Sequence, residues 1–64
     1  MTVINALRNE IHPLQNVEIY DNNGTLTDSS TCENLEFNIK GTIFASREVA
    51  KIDTIGYLTI INLK

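Results

Sequence analysis

The sequence predicts an α+β domain: a short N-terminal helix packed on a small, mostly antiparallel sheet of about four strands. Three observations predict it. Apolar residues recur at helical spacing before Pro13, they alternate with polar ones in several later segments, and turn-forming residues separate those segments. The 64 residues allow one domain, spanning residues 1–64.

The helix rests on Val3, Leu7 and Ile11, which form one stripe at i, i+4 and i+8, with Ile4 widening it. Thr2 is a suitable N-cap, and Pro13 restricts His12 and so ends the helix near Ile11. A helix this short does not persist alone, so its stripe must pack on the sheet. His12, at the helix end, reads as a polar C-terminal cap.

Gln15 to Tyr20 alternates, placing Val17 and Ile19 on one face and Glu18 and Tyr20 on the other. Asp21-Asn22-Asn23-Gly24 supplies the turn chemistry for a hairpin. Thr25 to Thr27 is a candidate return strand. Thr27 to Asn34 has no apolar residue except Cys32 and reads as a loop, or as the far end of a long twisted hairpin. Leu35, Phe37 and Ile39 alternate with Glu36, Asn38 and Lys40, the clearest strand pattern in the chain, and Gly41 breaks it. Thr42 to Ser46 fits either a strand continuation or a helical turn.

From Glu48 the pattern predicts another strand, with Ala50 and Ile52 on one face and Lys51 and Asp53 on the other. Thr54-Ile55-Gly56 is a plausible turn. Tyr57 to Leu63, rich in β-branched residues, predicts the last strand. Leu58 and Ile60 then share the core face, and Tyr57, Thr59 and Ile61 lie opposite. An apolar Ile61 on an outer face implies cover by another element or another chain.

Composition narrows the function. One cysteine and one histidine form neither an intramolecular disulfide nor a Cys/His zinc set, and no cofactor is expected. Cys32 has acidic or neutral sequence neighbours, which disfavour a thiolate, and it reads as an incidental free thiol in a reducing compartment. Three isolated glycines make no phosphate-cradling loop, and the Asp21 to Gly24 segment lacks the closing acid of a calcium loop. An enzyme is therefore not expected. No segment approaches a membrane span, and the N-terminal residues lack the pattern of a signal peptide, so a cytoplasmic protein is expected.

The net charge is −3, and its distribution is uneven. No Lys or Arg occurs from Asn9 to Ile39, whereas Glu10, Glu18, Asp21, Asp28, Glu33 and Glu36 all fall there. Direct nucleic-acid binding, which needs a basic footprint, is not expected. A protein partner with a basic surface is. The candidate contact residues are Glu18, Tyr20, Asp21, Asp28, Glu33, Glu36 and Tyr57, since tyrosines on outer faces near acids are common in interaction patches.

The order of segments resembles a loose class of small phage and prophage proteins of Gram-positive bacteria. The resemblance rests on a short helix, then Asn16-Val17-Glu18-Ile19-Tyr20-Asp21-Asn22-Asn23-Gly24, then Arg47-Glu48-Val49-Ala50-Lys51-Ile52-Asp53 leading to Tyr57-Leu58-Thr59-Ile60-Ile61. The segment Thr25 to Asn34 departs from it, since those proteins turn back into the sheet sooner. The resemblance implies a phage-type accessory protein in the host cytoplasm that binds and inhibits a host protein, such as a defence nuclease, through its acidic surface. The alternative is a structural or assembly protein, homodimeric or joined to a larger complex through Tyr57 to Leu63 as an edge strand.

Overall fold

The computed structural model describes residues 1–64 and runs α1 (Val3–Asn9), β1 (Asn16–Tyr20), β2 (Leu26–Thr31), α2 (Cys32–Ile39), a 3₁₀ turn (Ile43–Ser46), β3 (Val49–Ile55) and β4 (Leu58–Leu63). The four strands form one sheet in the order β2-β1-β4-β3. The β1–β2 and β3–β4 pairs are antiparallel hairpins, and the two hairpins join through a parallel β1–β4 pair. The α+β class, the N-terminal helix on a sheet and the mostly antiparallel pairing agree with the sequence reading.

Thr2 caps α1, its hydroxyl accepting from the Asn5 amide at 3.3 Å, and Val3, Ala6 and Leu7 are buried. His12 is not the cap. Its Nδ1 accepts from the Leu14 amide and shapes the loop into β1 instead.

The segment Leu35 to Ile39 is a helix, correcting the expectation of a strand there. Leu35 and Ile39 lie four apart, a spacing shared by strand alternation and by a helical stripe. Cys32 completes the stripe at i, i+3 and i+7, and all three side chains are buried, whereas Phe37 is 71% exposed. Thr31 caps this helix through the Asn34 amide. Gly41 (φ +78°) ends it in the left-handed conformation that a glycine adopts most cheaply.

Residues 27–31, expected as loop or far hairpin, belong to β2. Its Leu-Thr-Asp-Ser-Ser-Thr sequence has little strand character of its own. Five residue pairs with β1 and a bulge between Leu26 and Asp28 hold it in place. Cys32, expected in that loop, instead opens α2 and is buried.

The facing of β4 is reversed. Thr59, Ile61 and Leu63 are buried, and Leu58, Ile60 and Asn62 are half-exposed on the other face. Pairing with β1 decides this, since Val17 and Ile19 stand beside Thr59 and Ile61. Thr59 is tolerated inside because its hydroxyl meets that of Thr54 at 3.1 Å. In addition, β4 is flanked by β1 and β3, so it is an interior strand and not the expected edge.

The core lies between the sheet and the helices, and contains Val3, Leu7, Val17, Ile19, Leu35, Ile61 and Leu63. The Cys32 thiol donates to the Leu7 carbonyl at 3.0 Å, joining α2 to α1. Arg8 Nε and Glu36 Oε2, 3.1 Å apart, link the same helices at the surface.

Candidate functional site: the open face of the sheet

Both helices and the 3₁₀ turn cover one side of the sheet, and no element covers the other. Strand register fixes which side chains occupy this open face. Its central row is Ser29, Glu18, Ile60 and Asp53, across β2, β1, β4 and β3. On one side runs Leu26, Tyr20, Asn62 and Lys51; on the other, Asn16, Leu58 and Ile55. Ile60 thus stands between two carboxylates that are two strands, or about 10 Å, apart.

Glu18 and Tyr20 are neighbours on this face because they are two apart on one strand. The Tyr20 hydroxyl donates to Glu18 Oε1 at 2.7 Å. This hydrogen bond, then burial and the Glu18 charge, raises the Tyr20 phenol above its ordinary pKa. The hydroxyl is the donor of this pair, and no cation of the chain pairs with the Glu18 carboxylate. Asp53, by contrast, is paired with Lys51 at 3.3 Å on the same strand.

The remaining predicted contact residues do not gather on this face. Asp21 sits in the β1–β2 turn, where its carboxylate accepts from the Asn23 and Thr25 amides at 2.9 Å each. Asp28 pairs with Ile19 and so points to the helix side of the sheet. Glu33 and Glu36 lie on α2, and Glu36 is engaged with Arg8. Tyr57 is not on a strand face. It follows Gly56 (φ +61°) in the two-residue turn between β3 and β4 and is 86% exposed.

That turn has neighbours the sequence does not reveal. Gln15 Nε2 donates to the Gly56 carbonyl at 3.1 Å, and the Asn16 amide donates to the Tyr57 carbonyl. These bonds draw the loop before β1 against the β3–β4 turn. Ile55, 69% exposed and opposite Leu58, continues the apolar side of the open face towards that end. Ile60 and Leu58 were missed as surface residues because the facing of β4 was read in reverse, and Ile55 because Thr54-Ile55-Gly56 was read as the turn, whereas β3 runs through Ile55 and the turn is Gly56-Tyr57. A signal was present: Val17 and Ile19 require apolar neighbours on the same side, and Ile61 and Leu63 match that need together.

No pocket indents the surface, and no three His, Cys, Asp or Glu side chains converge. No helix is long and apolar enough to cross a membrane. Comparison with protein-family models, curated proteins and solved structures finds no match.

Proposed function

We propose that this chain is a small binding domain that engages another protein through the open face of its sheet. The observation that carries this reading is the combination on one uncovered face of Leu58, Ile60, Ile55 and Tyr20 with the cation-free carboxylate of Glu18. Apolar and aromatic groups supply contact area, and a half-buried anion selects a basic side chain in the partner. The acidic stretch of the sequence contributes Glu18 to this surface, while Glu33 and Glu36 stand on the helical layer.

On this reading the domain acts by occupancy, blocking or bridging its partner. Blocking a host protein is the form implied by the resemblance to phage accessory proteins, and the open face suits it. The experiment is affinity capture with wild-type protein and with Glu18→Lys, washed at low and at high salt. A partner held by wild type, released by salt and lost with Glu18→Lys supports the reading, because screening weakens charge pairing. Retention of the same partner by Glu18→Lys at every salt concentration would remove its basis.

A further inference from the structure

The sheet has two edges, β2 and β3, and they differ. We propose that β3 is a self-pairing edge, along which two copies of this chain join antiparallel about Ile52. This inference is independent of the partner taken by the open face.

The free length of the edge is defined by the fold. At its start, Met1 and Thr2 lie along the outer side of β3: the Val49 amide donates to the Met1 carbonyl, the Val3 amide to the Arg47 carbonyl, and Thr2 bridges Glu48. The other side of this segment is already bonded to the end of β4, through the Lys64 amide and the Glu48 carbonyl. Pairing with a further strand is therefore blocked up to Val49 and, past the bulge at Ala50, open from Lys51 to Ile55. A two-fold axis at Ile52 pairs Lys51 with Asp53 of the second copy and stops at this bulge, beside the N-terminal segment.

Charge selects the same register. Lys51, exposed, and Asp53, half-buried, lie two apart on the open face. An axis at Ile52 sets each Lys51 opposite Asp53 of the second copy, so the two existing ion pairs become a closed ring of alternating charge. An axis at Lys51 would oppose two lysines, and one at Asp53 two aspartates, and like charges directly opposite one another disfavour pairing. The lysine that ordinarily guards an edge against stray strands thus admits one sequence, its own. Ile52, half-buried on the helix side, meets its own copy across the axis.

The edge β2 offers no such match. Its residues Thr27, Asp28, Ser29 and Ser30 include no cation to oppose Asp28. Joining through β3 yields a continuous sheet with the order β2-β1-β4-β3-β3-β4-β1-β2, and both open faces lie on the same side.

Sedimentation equilibrium from about 1 µM to about 1 mM protein covers the affinities expected of so short a strand pairing. Wild type is expected to show a monomer–dimer equilibrium. Lys51→Asp and Asp53→Lys, each on its own, are expected to weaken it roughly tenfold or more, because both cross-strand pairs become like-charged. An equimolar mixture of the two variants restores a dimer containing one copy of each, since the all-acidic edge then faces the all-basic one. Circular dichroism of each variant confirms that the fold is intact. A wild type that stays monomeric throughout, variants that dimerise as wild type does, or a mixture without mixed dimers would overturn the proposal.

Discussion

Replacing Ile61 and, separately, its neighbour Ile60 with alanine tests the facing of β4. Ile61 is fully buried between the sheet and the helices, beside Ile19 and opposite Ile52. Removing Cγ1, Cγ2 and Cδ1 forfeits about 0.8 kcal/mol of transfer free energy per carbon, or roughly 2.5 kcal/mol. The cavity left in a core that cannot collapse fully raises the cost to about 3–4 kcal/mol. For a domain of this size, with a total stability of roughly 3–10 kcal/mol, that is a third of the whole or more. Ile60 lies on the open face, so its truncation leaves no cavity and costs about 1 kcal/mol or less. Thermal denaturation followed by circular dichroism separates the cases, since each kcal/mol moves Tm by about 4–8 °C in a small domain. Ile61→Ala is expected to lower Tm by roughly 15–25 °C or to leave the chain unfolded, and Ile60→Ala by under about 8 °C. Equal losses, or a larger loss at Ile60, would refute the register of β4 against β1.

Other predictions follow from the helical layer. The Cys32 thiol is buried against the Leu7 carbonyl, and burial, with lesser contributions from Glu36 and Glu33, raises its pKa. Its reaction with a thiol reagent at pH 7 is therefore expected to be no faster than unfolding, measured as the labelling rate with and without denaturant; rapid labelling of folded protein would contradict the burial. Because the folded-state pKa is raised, the protonated thiol contributes stability that is complete below the unfolded value, near 9.0, and lost as pH rises through the folded one. Cys32→Ala should cost about 1–2 kcal/mol at pH 7, and the deficit should narrow above that value in urea titrations. Thr31→Ala removes the N-cap of α2 and should cost about 1 kcal/mol in the same assay. Gly41→Ala should cost a similar amount, about 1 kcal/mol, because a Cβ is strained at φ +78° even though nothing crowds it.

Legibility in the sequence depended on how many structures each pattern could serve. The alternation of Val17 and Ile19 and the Asp21 to Gly24 turn each fit one element, and each formed it; of the Val3, Leu7 and Ile11 stripe, Val3 and Leu7 lie on α1, which ends at Asn9, short of the expected end near Ile11, and Ile11 is buried just beyond it. Leu35 and Ile39 fit two, and the decision fell to tertiary packing with Cys32 and the Thr31 cap. The strand β2 was hidden because its Thr, Ser and Asp residues carry no periodic signal, and pairing with β1 alone makes it a strand. In β4 both faces carry aliphatic residues, so alternation marks a strand without saying which side is buried, and the parallel contact with β1 supplies the answer. The open face was legible in Glu18 and Tyr20, which lie on a strand whose facing is unambiguous. Its apolar half, Ile60, Leu58 and Ile55, required the register that links distant parts of the chain.

The most direct test of the open-face reading is amide hydrogen exchange on the wild-type chain, with and without the partner recovered by affinity capture. Protection is expected to increase at Glu18, Tyr20, Leu58 and Ile60 and at the Gly56–Tyr57 turn, with no change along the exposed side of α2 at Glu33 and Phe37. Protection confined to α2, with the open face exchanging as in the free protein, would contradict it.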